Sequence, residues 1–399
     1  MIIRRLWLSS AAVLALVVSA LPAAGGAASA ASGGATAPYD SADRALQRDA
    51  DALRDAGVTG VSVRLDTSHG SLTARSGVGD LDSGRPVPEN GHLRLGSITK
   101  TFVATVVLQL VDEKRLTLDQ TVEEILPGVV SGAGNDGRAI TVRDLLRHTS
   151  GLHDYTGDVF PEQNAETYFA NRWRGYRPAQ LVAMAMRHAP DFTPGTDWAY
   201  SNTNYVLAGM IIEKVTGRAW EQQVQSRILR PLKLRHTRAP GVSPLLPRPY
   251  AANYQQFAPG GPFIDTTIPY RPFDDGADGS MTGTARDLNR FLSALSRGKL
   301  LKPATLAAMR TTVPVPDGHG HPAGTGDGLG LFSTPLSCGG GYLGHGGSGF
   351  GYVMRGAATV DGRRTLTVAA HSRPADPDAA ARQEDAMRTL IDNALCRGE

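Results

Sequence analysis

The sequence predicts an α/β (α+β) fold: one antiparallel sheet built from both ends of the chain, flanked by N- and C-terminal helices, with a mostly helical segment inserted between them. Three observations predict it. Residues near both termini alternate apolar and polar at the two-residue period of half-buried strands, and the middle carries apolar residues at helical spacing. A chain of 399 residues that is 41% hydrophobic and 20% charged can also bury a large core.

Met1-Ile-Ile-Arg4-Arg5 leads into an apolar stretch from Leu6 to Leu21, broken by Pro22 and followed by small residues ending Ala28-Ser29-Ala30. These are the three parts of a secretory signal, so residues 1–30 are expected to direct export and to be cleaved near Ala30. A membrane anchor is the competing reading, but the run is shorter than the ~20 residues a spanning helix needs, and no stable span is expected after cleavage. Residues 31–40 form a small-residue leader. From Ala42 to Ala56 the helical period returns and stops at Gly57; Val61 to Leu65 and Ser71 to Ser76 then alternate as the two strands of a hairpin. Near the other end, Gly351 to Val360 and Thr365 to Ala370 read as strands around Asp361-Gly362, and Ala379 to Leu395 as a closing helix.

Helical patterning fills Thr99–Lys114, Val142–Arg147, Ala179–His188, Tyr205–Thr216, Ala219–Leu229 and Ala285–Leu295, with Val242–Asp278 as a poorly patterned surface lobe or lid. Residues 41–96 and 280–399 therefore make a sheet lobe and 97–279 a mostly helical lobe, together one domain. A cleft between two such lobes is a natural place for a site.

The chain carries 41 Lys and Arg against 38 Asp and Glu, and losing Arg4 and Arg5 with the signal leaves 39 against 38, or +1. No basic run exceeds a pair, so nucleic-acid binding is not expected. The two cysteines, Cys338 and Cys396, would meet in an oxidising compartment after export and are expected to form a disulfide; two buried free thiols are the alternative. No H-E-x-x-H or similar metal cluster and no G-x-S-x-G elbow occurs, so neither a metal site nor an α/β-hydrolase nucleophile is expected, and no cofactor is implied.

Three short patterns carry chemistry. Ser-x-x-Lys places an amine almost one helical turn from a hydroxyl, and it occurs twice, as Ser97-Ile-Thr-Lys100 and Ser296-Arg-Gly-Lys299. Ser296 ends a helix that Gly298 breaks, whereas Ser97 opens one with a wide apolar face of Phe102, Val103, Val106, Val107, Leu110 and Val111; simple N-capping by Ser97 is the alternative. Tyr200-Ser201-Asn202 clusters polar groups before an apolar helix, where a Tyr can relay a proton and an Asn can hold an amide, or the turn can merely cap the helix. Gly344-His345-Gly346-Gly347-Ser348-Gly349 permits close backbone approach at a strand edge, or else is a glycine-rich hairpin.

The order of these three patterns resembles the serine penicillin-recognising superfamily, most nearly the low-molecular-weight D-alanyl-D-alanine carboxypeptidases and class C β-lactamases of the S12 type, with their esterase relatives. The resemblance extends from about Ala42 to Cys396 through Leu116-Thr-Leu-Asp119, Ile125-Leu-Pro127, Ile140-Thr-Val-Arg-Asp-Leu-Leu-Arg-His-Thr-Ser-Gly-Leu152, Thr284-Ala-Arg-Asp-Leu288 and Gly344-His-Gly-Gly347. It implies a β-lactamase/transpeptidase-like fold. It makes Ser97 the acylated nucleophile and Lys100 the acceptor of its proton, which requires burial and cationic neighbours to lower the lysine pKa. By the same resemblance Tyr200 shares the relay to the leaving group, Asn202 holds the acyl amide, and His345 stands where relatives carry Lys or His. The backbone N–H groups of Ser97 and Ser348, the latter entered through Gly347, form the oxyanion hole.

Two departures bear on substrate. Gly346 stands where peptidases and lactamases carry a hydroxyl for the substrate carboxylate, and no Lys or Arg occurs between Arg310 and Arg355; Ser348 or an Arg from elsewhere, such as Arg271, would have to compensate. The expectation is a secreted, monomeric serine hydrolase acting as a D-alanyl-D-alanine carboxypeptidase on peptidoglycan peptides, with β-lactams as inhibitors. A class C-like β-lactamase or an esterase on a small-molecule substrate is the alternative. A non-catalytic sensor would have lost one of Ser97, Lys100, Tyr200 and His345, and none is lost.

Overall fold

Alternation along β1 (Gly60–Thr67) puts Val61, Val63 and Leu65 on one face and Ser62, Arg64 and Asp66 on the other. The computed structural model describes residues 38–241, 243–268 and 276–397; the expected signal peptide, most of its leader and Arg271 lie outside the described residues. The apolar face of β1 meets two helices. α1 (Pro38–Asp55) buries Leu46, Ala50 and Leu53, and the last helix of the chain, Pro377–Cys396, buries Met387, Leu390, Ile391 and Ala394. Both patterns repeat every three or four residues, as one helix face requires.

β2 (Gly70–Gly77) completes the first hairpin. The main helices of the inserted segment are α2 (Thr99–Asp112), α3 (Pro178–Ala185) and α4 (Asn202–Thr216). α5 (Ala285–Ser296) and α6 (Pro303–Arg310) lead to β3 (Val313–Pro314), β4 (Gly326–Asp327), β5 (Phe332–Pro335), β6 (Gly341–Gly349), β7 (Tyr352–Thr359) and β8 (Thr365–Ala370). α7 is the closing helix Pro377–Cys396. The eight strands form one antiparallel sheet in the order β2-β1-β8-β7-β6-β5-β4-β3, so both chain ends meet at the β1–β8 pair.

α5 lies on the face opposite α1 and α7. Its Asn289 Nδ2 donates to the carbonyls of Arg64 and Thr365, each at 3.1 Å, and its Leu288, Phe291, Leu292 and Leu295 are buried. Phe291 stacks on Phe102 of α2 with ring centroids 3.7 Å apart, joining sheet and helical segment in one core. Within the poorly patterned Val242–Asp278 stretch, Tyr254–Gln256 pairs antiparallel with Phe263–Asp265 and parallel with Ser372–Arg373 beyond β8, which brings this lobe over the end of the sheet.

β6 carries the Gly344–Gly349 segment as a strand, as expected, and not as a glycine-rich hairpin. Its glycines let it run against the turn before α2: a Cβ on Gly347 would stand 2.0 Å from the Leu95 carbonyl oxygen. Cys338, between β5 and β6, is disulfide-bonded to Cys396 at the end of α7, as expected. Among the described residues no helix is long and apolar enough to cross a membrane.

Candidate active site

A 3₁₀ turn, Gly96–Ile98, leads directly into α2. Gly96 makes this turn with φ +52°, and a Cβ there would lie 3.0 Å from the backbone N of Ser348. The serine turn and β6 therefore approach as two backbones, with the amides of Ser97 and Ser348 on neighbouring elements. α2 has Ile98 at its N-cap position and no side-chain capping bond, so the Ser97 hydroxyl is not spent on capping.

One helical turn on, Lys100 is wholly buried. Its Nζ donates to Ser97 Oγ at 3.0 Å, to Asn202 Oδ1 at 2.7 Å and to the carbonyl of Asp278 at 2.6 Å. Three acceptors match the three protons of an ammonium. Burial brings the Lys100 pKa down to about 8, while Asp278 and Asp154 push it up. This corrects one expectation: the lowering comes from desolvation, and the charged neighbours are anions working against it rather than cations assisting it.

Tyr200 shares a side-chain hydrogen bond with Ser97, and burial of its hydroxyl holds the phenol pKa well above its ordinary value. The Lys100 ammonium stands 5.0 Å from its ring centroid. The ring also stacks on His148, with centroids 4.2 Å apart. His148 adopts φ +58°, a conformation rare outside glycine, and its Nδ1 accepts from Ser201 N at 3.2 Å and from Asn204 Nδ2 at 3.1 Å. Burial first, then Lys100 and His345, push the pKa of this imidazole well below its ordinary value.

Asn202 opens α4 and is engaged on both sides, since its Nδ2 donates to Asp154 Oδ2 at 2.9 Å while its Oδ1 accepts from Lys100. One Nδ2 proton is left over for a ligand. Asp278 is buried; its Oδ2 accepts from Tyr155 Oη at 2.8 Å, and burial raises its pKa. His345 on β6 donates Nδ1–H to the carbonyl of Gly346 at 2.6 Å, which leaves Nε2 as an acceptor. Burial and Lys100 bring its pKa down to about 3, so it is neutral at ordinary pH.

Two cavities meet at Ser97, Tyr200 and Ser348. The larger, about 660 Å³, is walled by Asn202, Phe160, Phe257, Phe350 and Arg373; the smaller, about 370 Å³, by His345, Gly346, Trp198, His321 and Arg355. Neither is closed off from Ser97, so an acyl group and a leaving group can lie on opposite sides of it.

Arg355 is the cation that the segment between Arg310 and Arg355 lacks. It sits opposite Gly346 in the β6–β7 register, and a Cβ on Gly346 would stand 2.9 Å from its Nη1, so the guanidinium takes the space a side chain there would fill. It is not free: Nη2 donates to both carboxylate oxygens of Glu384, at 2.9 and 2.8 Å. Arg388, on the same wall, pairs with Asp385.

The structure thus gathers Ser97, Lys100, Tyr200, Asn202, His345, Gly347 and Ser348 in one place. Sequence reading missed Asp154, Asp278, His148, Arg355 and Glu384. A signal existed for Arg355 alone: reading Gly341–Gly349 as a strand turning at Phe350-Gly351 puts residue 355 opposite 346.

The family model described as Beta-lactamase matches residues 19–389. The chain is similar to penicillin-binding protein 4* of Bacillus subtilis, 28% identical over 302 residues that make up 73% of this chain and 63% of that protein. It therefore spans less than two thirds of that relative. It is also similar to esterase EstB of Burkholderia gladioli, 29% identical over 297 residues, or 67% of this chain and 74% of that protein. Among solved structures, a D-stereospecific amidohydrolase from a Streptomyces species superposes with a TM-score of 0.79 at 39% identity, covering 90% of this chain and 99% of that one. The family match over most of the chain and the structural likeness over 90% of it agree with the site geometry: this chain belongs to the β-lactamase family of serine hydrolases.

Proposed function

We propose that the protein hydrolyses amides or esters of D-configured acyl groups through an acyl-enzyme on Ser97, releasing a small leaving group without a free carboxylate. Neutral Lys100 accepts the Ser97 proton as Oγ attacks the carbonyl carbon. The carbonyl oxygen becomes an oxyanion facing the N–H groups of Ser97 and Ser348. As the C–N or C–O bond breaks, the proton passes through Tyr200 to the leaving nitrogen or oxygen. Water then attacks the ester carbonyl; the C–Oγ bond breaks, one water proton returns to Ser97 Oγ, and the acyl group leaves as its carboxylic acid. The acyl part lies in the larger cavity beside Asn202, and the leaving group lies in the smaller one beside His345.

The observation that carries the leaving-group assignment is the charge state of the smaller cavity. His345 is neutral, Gly346 offers no hydroxyl, and Arg355 and Arg388 each face a carboxylate. A terminal carboxylate placed there would be desolvated without an unpaired cation. That weighs against a D-alanyl-D-alanine carboxypeptidase, which the sequence motifs favour. The D preference is supported by the 39% identical D-stereospecific amidohydrolase, and an ester substrate by the esterase relative.

The test compares kcat/KM for D- and L-amino acid amides and p-nitrophenyl esters with D-Ala release from an acyl-D-Ala-D-Ala peptide. We expect D-amides and esters to react, to leave an acyl mass adduct on Ser97, and to exceed both the L-forms and the peptide. Faster turnover of the peptide would overturn the leaving-group assignment, and an unchanged rate in Ser97→Ala would overturn the nucleophile.

A further inference from the structure

Behind Asp154 the helical segment gathers a second set of ligand-bearing side chains that the hydrolytic chemistry does not use. His153 precedes the short helix Thr156–Val159, Asp158 lies within it, and His188 and Asp191 follow α3. The imidazoles of His153 and His188 stack with centroids 4.0 Å apart. His188 Nε2 lies 2.9 and 3.1 Å from the two oxygens of Asp158, and His153 Nε2 lies 4.0 Å from Oδ2. One donor atom from each of these three residues lies within 4.8 Å of the other two, and all three are half-buried. Asp191 Oδ1 is 3.6 Å from His153 Nδ1.

The backbone fixes this arrangement. Asp191 N donates to Gly151 O at 2.8 Å, and a Cβ on Gly151 would stand 2.1 Å from the Phe192 carbonyl oxygen, so the segments at 151–158 and 188–192 are packed backbone to backbone. Two imidazoles and a carboxylate suit zinc-class ions better than calcium or magnesium, which prefer all-oxygen shells. Tetrahedral ligation at ~2.0–2.1 Å puts ligand atoms about 3.3 Å apart, so His153 and His188 would have to rotate out of their present stack to close on an ion. Arg187 Nη2, on an exposed side chain, reaches Asp158 Oδ1 at 3.5 Å and is the cation an ion would displace.

We propose that His153, Asp158 and His188 form a zinc-class divalent metal site, with Asp191 beside the other ring nitrogen of His153, where it orients that imidazole. His153 and His188 are far apart in the chain, which is why no metal motif is visible in the sequence. The site has a reason to matter to the hydrolase. The next residues along the chain, Asp154 and Tyr155, hold Asn202 and Asp278, and Thr156, Gly157 and Phe160 wall the larger cavity. A bound ion would tie that wall to the segment after α3, a positioning role rather than a catalytic one.

The experiment is a cobalt titration of the chelator-treated, full-length protein, with thermal unfolding followed in parallel. One equivalent of Co²⁺ should develop the visible bands of tetrahedral coordination and be displaced by Zn²⁺, and saturating zinc should raise Tm by about 5 °C. His153→Ala and His188→Ala should each weaken binding by tenfold or more. The isosteric Asp158→Asn should do the same with the fold intact, as judged by circular dichroism. Absence of stoichiometric cobalt binding, or unchanged binding in folded His153→Ala/His188→Ala or Asp158→Asn protein, overturns the site. Both readouts are independent of the hydrolytic reaction.

Discussion

Lys100 is a buried amine surrounded by acceptors, and its behaviour follows from that conflict. Desolvation brings its pKa down to about 8 from an ordinary value of 10.5. A base must be neutral to accept the Ser97 proton, so kcat/KM should rise with pH through a single limb centred near 8. His345, down to about 3, contributes no limb in that range. A flat profile between pH 6 and 10 would remove Lys100 from the role. The same shift makes a linked statement about stability. Between about 8 and 10.5 the unfolded lysine holds a proton that the folded one has lost, so this group's contribution to stability rises with pH across that window. A second residue-scale prediction concerns Glu384. Glu384→Gln leaves Arg355 without its carboxylate and places an unpaired cation beside the leaving group. D-Ala release from acyl-D-Ala-D-Ala, relative to ester hydrolysis, should increase by about tenfold, the scale of one charge-assisted hydrogen bond. An unchanged ratio would show that the Arg355–Glu384 pair does not govern this specificity.

At the scale of elements, the site depends on two backbones lying closer than side chains allow. β6 passes the Leu95–Gly96 turn at the position of Gly347, where an added Cβ would be 2.0 Å from the Leu95 carbonyl oxygen. The turn is locked to α2 and cannot yield cheaply, so Gly347→Ala should displace β6 and move the Ser348 amide away from Ser97. A shift near 1 Å in such geometry costs about 10²-fold in rate. We therefore expect kcat to fall by that order, read with a p-nitrophenyl ester. Full activity in Gly347→Ala would mean that the Ser348 amide does not serve the oxyanion.

The whole molecule closes on itself at two points, the β1–β8 pair and the Cys338–Cys396 disulfide that ties α7 to the β5–β6 turn. Cross-linking residues 58 positions apart restricts the unfolded chain by about 4 kcal/mol in the chain-entropy treatment. Cys338→Ser/Cys396→Ser protein should lose stability of that order in urea unfolding, with native ester hydrolysis retained because neither cysteine lines a cavity at Ser97. No change in midpoint would show that α1, α7 and the sheet core already hold the C-terminus.

Local period and spacing encode the terminal strands, the helices of the middle, and the Ser97–Lys100 pair one helical turn apart. The sequence also pointed to the cysteine pair through the expected export, and the structure removes the free-thiol alternative. Sequence reading took Gly344–Gly349 as a strand edge but left a glycine-rich hairpin open, because the glycines erase the alternation that marks a strand; and it placed cations around Lys100 where the fold places Asp154 and Asp278. The environment of Lys100 emerges only once the chain is folded. Charge state depends on burial and on partners far along the chain, such as the Asp278 carbonyl on Lys100 Nζ and Glu384 on Arg355, and no spacing rule reaches that far.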